Sequence, residues 1–159
     1  MSGLTTTSPA IRSAKHLFGE RNVVLLPDSL MTLSDNHAPL SMSIYRALYK
    51  TGFCFFHKHE TDHNMLETKG ALLVDDKGEV HSYEDKPSDT SFFNGYWCGF
   101  AFFDDVFSSA IAFMERSTLH EEQTIDIKDT PIYGCRTIPV KEYRDLGTWP
   151  EIRRWTSGS

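Results

Sequence analysis

The sequence predicts an α/β protein built on a mixed sheet, and three observations carry that reading. Residues 23–26 and 53–56 are short, nearly uninterrupted apolar runs, the pattern of strands buried on both faces. Apolar residues recur at helical spacing after Ser8, after Pro39 and after Asp105. Two further runs flank Lys77-Gly78, which supplies the positive φ of a tight antiparallel hairpin, so the sheet is not purely parallel.

Taken in order, Ser8 is a good N-cap and Pro9 a good first helical residue. Ile11, Ala14, Leu17 and Phe18 follow at helical spacing, and Gly19 suits the stop. A buried strand over 22–27 comes next. Pro39 opens a second helix with Leu40, Ile44 and Leu48 on one face and Gly52 at its end, before a strand at 53–56. Residues 57–69 are polar and read as loop. Strand, turn and strand follow at 71–74, 75–78 and 79–84, then a loop over 85–92. Residues 96–103 form an aromatic-rich strand whose rings pack on alternate faces. Asp104 or Asp105 caps a helix with the apolar stripe Val106, Phe107, Ala110, Ile111 and Met114. The stretch 117–130 is polar, 131–138 reads as a late strand, and 149–155 as a short terminal helix.

A chain of 159 residues is one domain by length; the domain is expected over 1–156, with 157–159 a flexible tail. Acidic residues outnumber basic ones, 22 to 16, and no Lys/Arg cluster exists to track a phosphate backbone, which excludes a nucleic-acid partner. A small anionic substrate remains compatible, because a few placed cations and amides suffice for one phosphate. No apolar run approaches the ~18 residues of a membrane span, and no secretory h-region is visible, so no membrane partner is expected. Cys54, Cys98 and Cys135 are widely spaced and odd in number. They read as reduced, buried thiols, and the expected location is cytoplasmic.

Asp28 stands just past a buried strand, where α/β sheets bind ligands. A carboxylate there suits a hard cation such as magnesium, which takes few protein ligands plus substrate phosphates. The same position suits a turn or capping carboxylate. Asp145, beside Gly147, carries the same two readings. Lys86 lies between Asp85 and Pro87, whose ring biases it towards extended backbone; it is either a solvated surface charge or a point-charge contact to phosphate. His57, His59 and His63 have spacing that can bind zinc, with a surface loop as the plainer reading. No Gly-x-Ser-x-Gly elbow supports a serine hydrolase.

Five segments occur in a telling order: Leu25-Leu26-Pro27-Asp28, Thr68-Lys69-Gly70-Ala71-Leu72-Leu73, Glu84-Asp85-Lys86-Pro87, the run from Asn94 to Phe103, and Arg144-Asp145-Leu146-Gly147-Thr148. Over about residues 3–149 this order resembles the sugar-1-phosphate nucleotidyltransferases. The resemblance implies a Rossmann-like, GT-A-like mixed sheet with a sugar-binding half. It implies that Asp28 and Asp145 hold a catalytic Mg2+, that Gly70, Asp85 and Lys86 contact the sugar and its phosphate, and that Gly99 lines the sugar pocket. Gly3 and Leu4 resemble the end of a segment that approaches the nucleotide base. The implied reaction joins a nucleoside triphosphate to a sugar 1-phosphate, releasing pyrophosphate.

The sequence departs from that pattern in one large way and two small ones. No Gly-x-Gly-Thr-Arg triphosphate loop occurs in it, while Pro27 and Asp85 replace a frequent Gly and Glu. The expectation is therefore a partial nucleotidyltransferase domain that keeps the sugar-phosphate and metal half. Such a domain is inactive alone and is partnered by a further copy (a homo-oligomer) or by a complementing chain. The alternative is a non-catalytic module that binds a sugar phosphate or serves in assembly.

Overall fold

The computed structural model describes residues 9–26, 28–34, 38–118 and 127–146. The architecture is mixed α/β, as the sequence predicts: a seven-stranded sheet with helices on both faces.

The N-terminal helix α1 (9–13) tightens into a 3-10 turn, Ala14–Leu17. Strands β1 (Arg21–Leu25) and β2 (Ser29–Leu33) follow, then α2 (Leu40–Leu48), β3 (Phe53–His59) and the one-turn α3 (His63–Leu66). The hairpin of β4 (Gly70–Val74) and β5 (Val80–Asp85) leads to β6 (Gly95–Phe103), α4 (Phe107–Thr118) and β7 (Arg136–Asp145). The strand order is β2-β7-β3-β6-β4-β5, with β1 also on β6. Every pairing is antiparallel except β3 with β7.

Strand β6 organises the sheet. Its nine residues are almost all buried, and β3 runs along one edge of it. The other edge is shared: β1 pairs with residues 99–103 and β4 with Tyr96 and Gly95. Alternation divides the aromatics as expected. Phe53, Phe55, Trp97, Phe100 and Phe102 face α4 and Ile11 of α1; Cys54, Phe56, Tyr96 and Ala101 face Leu48 of α2 and Leu66 of α3.

Only residues 26–28 join β1 to β2, although these strands lie on opposite sides of the sheet order. Four residue steps span at most about 14 Å, whereas four interstrand steps in a flat sheet are about 19 Å. The sheet is therefore strongly curled. The end of β7 swings inward until the Tyr143 ring meets Tyr96, centroids 5.7 Å apart.

Four expectations need correction. Strand β1 is not buried on both faces: Val23 is 45% and Leu25 53% exposed, because among the described residues β1 pairs with β6 alone. Residues 57–69 are not all loop, since β3 continues to His59 and Asp62 caps α3 by accepting from the Asn64 N–H. The late strand begins and ends further along, at Arg136–Asp145. Gly134, with φ +71, turns the chain just before it, and inward Ile138 and Val140 alternate with exposed Pro139 and Lys141. Lys86 is left-handed, not extended, with φ 49. The expected terminal helix, the tail, Gly147 and most of the polar stretch 117–130 lie outside the described residues.

No helix among the described residues is long and apolar enough to cross a membrane.

Candidate functional site

The curl brings the backbones of Asp28 and Asp145 into adjoining positions. Ser29 pairs with Asp145 in the β2–β7 ladder, and the Leu146 N–H donates to the Asp28 carbonyl at 2.6 Å. Tyr143 records both side chains. Burial holds its phenol above the ordinary range, Cys98 and Asp145 add to that, a Ser29 hydrogen bond opposes it, and Asp28 contributes last. Residues 117 positions apart, by their numbers 28 and 145, thus share one corner of the fold.

A second group forms where β4 begins and β5 ends. Gly70 pairs with Asp85, and the Lys86 N–H extends that ladder by donating to the Lys69 carbonyl at 2.8 Å. The following Pro87 disfavours right-handed helical geometry at Lys86, which adopts the left-handed region that a non-glycine residue occupies at a cost. Asp85 is 2% exposed, and its own N–H donates to Ser117 Oγ of α4. Gly70 has a packing reason to be glycine, because a Cβ there would lie 2.0 Å from Trp97 Nε1. Gly99 has one too: a Cβ would lie 2.8 Å from the Val24 carbonyl oxygen, under β1.

Lys69 links the two groups. Its ammonium reaches Asp145 Oδ2 at 3.4 Å and lies 5.7 Å and 5.5 Å from the ring centroids of Tyr96 and Tyr143. The register explains the meeting. Leu25 pairs with Gly99 and Ala71 with Tyr96, so β1 ends and β4 begins around the middle of the same β6 edge. Asp28 follows the first of these strands and Lys69 precedes the second. Sequence reasoning did not single out Lys69, since its anionic partner is 76 positions away and nothing local distinguishes it from a solvated lysine.

The histidines do not assemble. His57 is half-buried against Gly95, its Nε2 without a hydrogen-bond partner. His63 Nδ1 instead meets Thr90 Oγ1 at 2.7 Å, and its Nε2 lies 3.3 Å from Glu67. Among the described residues no three His, Cys, Asp or Glu side chains converge as a metal cage. Two carboxylates still fit magnesium, which fills its shell with water and substrate oxygens; they do not fit a zinc site of nitrogen and sulfur ligands. The three cysteines are free and buried, and burial pushes the Cys54 and Cys98 thiols up to about 12, so they are unreactive. A hollow lined by Glu20, Phe103, Asp104 and Asp105 lies at the Arg21–Phe103 end of the β1–β6 ladder; its acidic lining does not suit phosphate.

No family model matches the chain, and no curated protein matches it in sequence. Solved structures do match in fold. One is a protein assigned as a glucose-1-phosphate thymidylyltransferase from Bacillus anthracis, in complex with a sucrose, with 18% identity and a TM-score of 0.64. The match covers 94% of this chain and 58% of that one. Two others are from Acinetobacter baumannii. A UTP-bound UGPase matches at 16% identity and TM-score 0.59, covering 94% of this chain and 54% of that one. A UDP-glucose pyrophosphorylase matches at 14% and 0.60, covering 91% and 53%. The chain therefore has a sugar-1-phosphate nucleotidyltransferase-like fold and spans a little over half the length of these solved structures.

Proposed function

We propose that the chain is a sugar-1-phosphate nucleotidyltransferase-like protein carrying the half that receives the sugar phosphate and a divalent cation, in the cytoplasm. The observation that carries this reading is that Asp28 and Asp145 lie on adjoining backbone, where the Leu146 N–H donates to the Asp28 carbonyl at 2.6 Å and Ser29 pairs with Asp145, with Lys69 linking Asp145 to the β4–β5 corner.

In this reading Asp28 and Asp145 would hold Mg2+, which when bound would neutralise phosphate charge in the transfer. Lys86 offers a cation to the sugar phosphate, and its left-handed backbone fixes where the side chain departs. Gly70 and Gly99 keep side chains out of the way of Trp97 and β1, leaving the sugar to be met by the walls they define. Gly3 and Leu4, proposed to approach the base, lie outside the described residues. The proposed reaction is in-line: a sugar-phosphate oxygen bonds to the α-phosphorus of a nucleoside triphosphate as the bond to pyrophosphate breaks. No protein nucleophile is required, so positioning and charge neutralisation do the work.

The sequence contains no Gly-x-Gly-Thr-Arg loop to cradle a triphosphate, so the chain alone is expected to bind glucose 1-phosphate without forming a nucleotide sugar. Titration calorimetry with glucose 1-phosphate and Mg2+, run beside a pyrophosphate-release assay with each nucleoside triphosphate, tests this. Release of pyrophosphate that Asp145→Asn abolishes would show the chain to be a complete enzyme. Absence of any sugar-phosphate binding would sink the reading and leave an assembly role.

A further inference from the structure

We infer that Lys69 is a resident counter-ion of the proposed metal site, which a divalent cation must displace in order to bind Asp145. The inference rests on the reading of Asp28 and Asp145 given above.

The lysine is built into the corner. Its carbonyl accepts from the Lys86 N–H at 2.8 Å, which pins the backbone from which the side chain departs. The stem then carries the ammonium onto two tyrosine faces, at 5.7 Å and 5.5 Å, within the range of cation–π attraction. The side chain is only 19% exposed, whereas Lys50 and Arg12, the cations of the Lys50–Glu79 and Arg12–Glu115 pairs, are 42% and 44% exposed. Partial burial reduces screening, so the charge acts on Asp145 more strongly than a surface lysine would.

The contact itself is loose. Lys50–Glu79 and Arg12–Glu115 close to 2.6 Å and 2.7 Å, while Lys69 stays 3.4 Å from Asp145 Oδ2. Charge-assisted hydrogen bonds ordinarily fall near 2.7–2.9 Å. The tyrosine rings hold the ammonium beside the carboxylate without a full hydrogen bond. Lys69 thereby cancels one of the two negative charges that Asp28 and Asp145 would offer a cation. A divalent ion entering at Asp145 meets a fixed positive charge a few ångströms away, and like charges at that range repel. The ammonium must turn away before the metal is held at full strength.

The test is manganese(II) binding, read from the electron paramagnetic resonance signal of the free ion. Lys69→Met keeps the apolar stem against Tyr96 and Tyr143 and removes the charge; Lys69→Arg keeps the charge. Lys69→Met is expected to bind manganese about tenfold more tightly than wild type, and Lys69→Arg within about twofold of it. Asp145→Asn should lose binding in either background. Equal or weaker binding by a folded Lys69→Met protein overturns the counter-ion role, and Lys69→Gln gives the same comparison if the methionine variant does not fold. Undiminished binding by Asp145→Asn would overturn the metal-site reading itself, so the two failures are distinguishable.

Discussion

At the scale of single residues, Lys86 and His57 are each held in a state that costs free energy. Lys86 is the one non-glycine residue with positive φ among those described. Left-handed backbone costs a non-glycine residue roughly 1–2 kcal/mol. Lys86→Gly is therefore expected to raise stability by about 1 kcal/mol, read as a higher urea midpoint, while weakening sugar-phosphate binding. Lys86→Ala should lose the same binding without the gain. A lower midpoint for the glycine variant would mean that the strain is not there. His57 is the second case. Burial, then the nearby charges of His59 and Lys58, lower its pKa to about 4 from an ordinary 6.5. The folded state thus prefers the neutral ring. Stability is full above pH 6.5 and is lost as pH falls from there through about 4, because the unfolded chain takes up the proton first. The loss from this one group reaches about 3 kcal/mol. Urea unfolding at a series of pH values should show His57→Gln with a shallower acid slope than wild type; parallel slopes would refute the assignment.

At the scale of elements, the sequence was most informative where burial and alternation agree. The helix opened by Pro39, the hairpin at Gly78 with its φ of +78, the aromatic strand and the helix after Asp105 all follow from local pattern. The misses share a cause. In β7, polar residues alternate with Ile138 and Val140 on a strand whose outer face is open, so no apolar run marks it. Helix α3 is a single turn, too short for periodicity to register, although Asp62 carries its cap. Motif order alone singled out Asp28 and Asp145; that their backbones adjoin depends on the curl of β7, which no local signal encodes. Lys69 escaped notice for the same reason. One element-level expectation follows for β1. At Gly99 an added Cβ would lie 2.8 Å from the Val24 carbonyl oxygen and 3.0 Å from Leu25 Cδ2, and a backbone atom cannot rotate aside. Gly99→Ala should push β1 off β6 and cost about 2 kcal/mol. Hydrogen exchange should then quicken at the amides of β1 that bond β6, while the β3–β6 ladder stays protected. Unchanged protection in β1 would show that the strand gives way without separating.

At the scale of the whole molecule, the main question is what covers β1. Among the described residues its second edge pairs with no strand, and its ladder partner is β6 alone. Val23 and Leu25 are 45% and 53% exposed on the same face as Arg21, whose guanidinium lies 5.3 Å from the ring centroid of Tyr45 in α2. Tyr45 is itself 44% exposed, and Met42 on the same helix also 44%. An unpaired edge beside exposed apolar side chains is a template for another strand. A second copy meets it at least cost, because two β1 edges related by a two-fold axis pair antiparallel and present the same residues to each other. We therefore expect a dimer or larger assembly at micromolar concentration, measured by light scattering coupled to size exclusion. Val23→Glu and Leu25→Lys lie on the exposed face and should shift the protein towards monomer with its unfolding still cooperative. A wild-type monomer with cooperative unfolding would mean that β1 tolerates solvent on this edge, and would remove the argument for self-association.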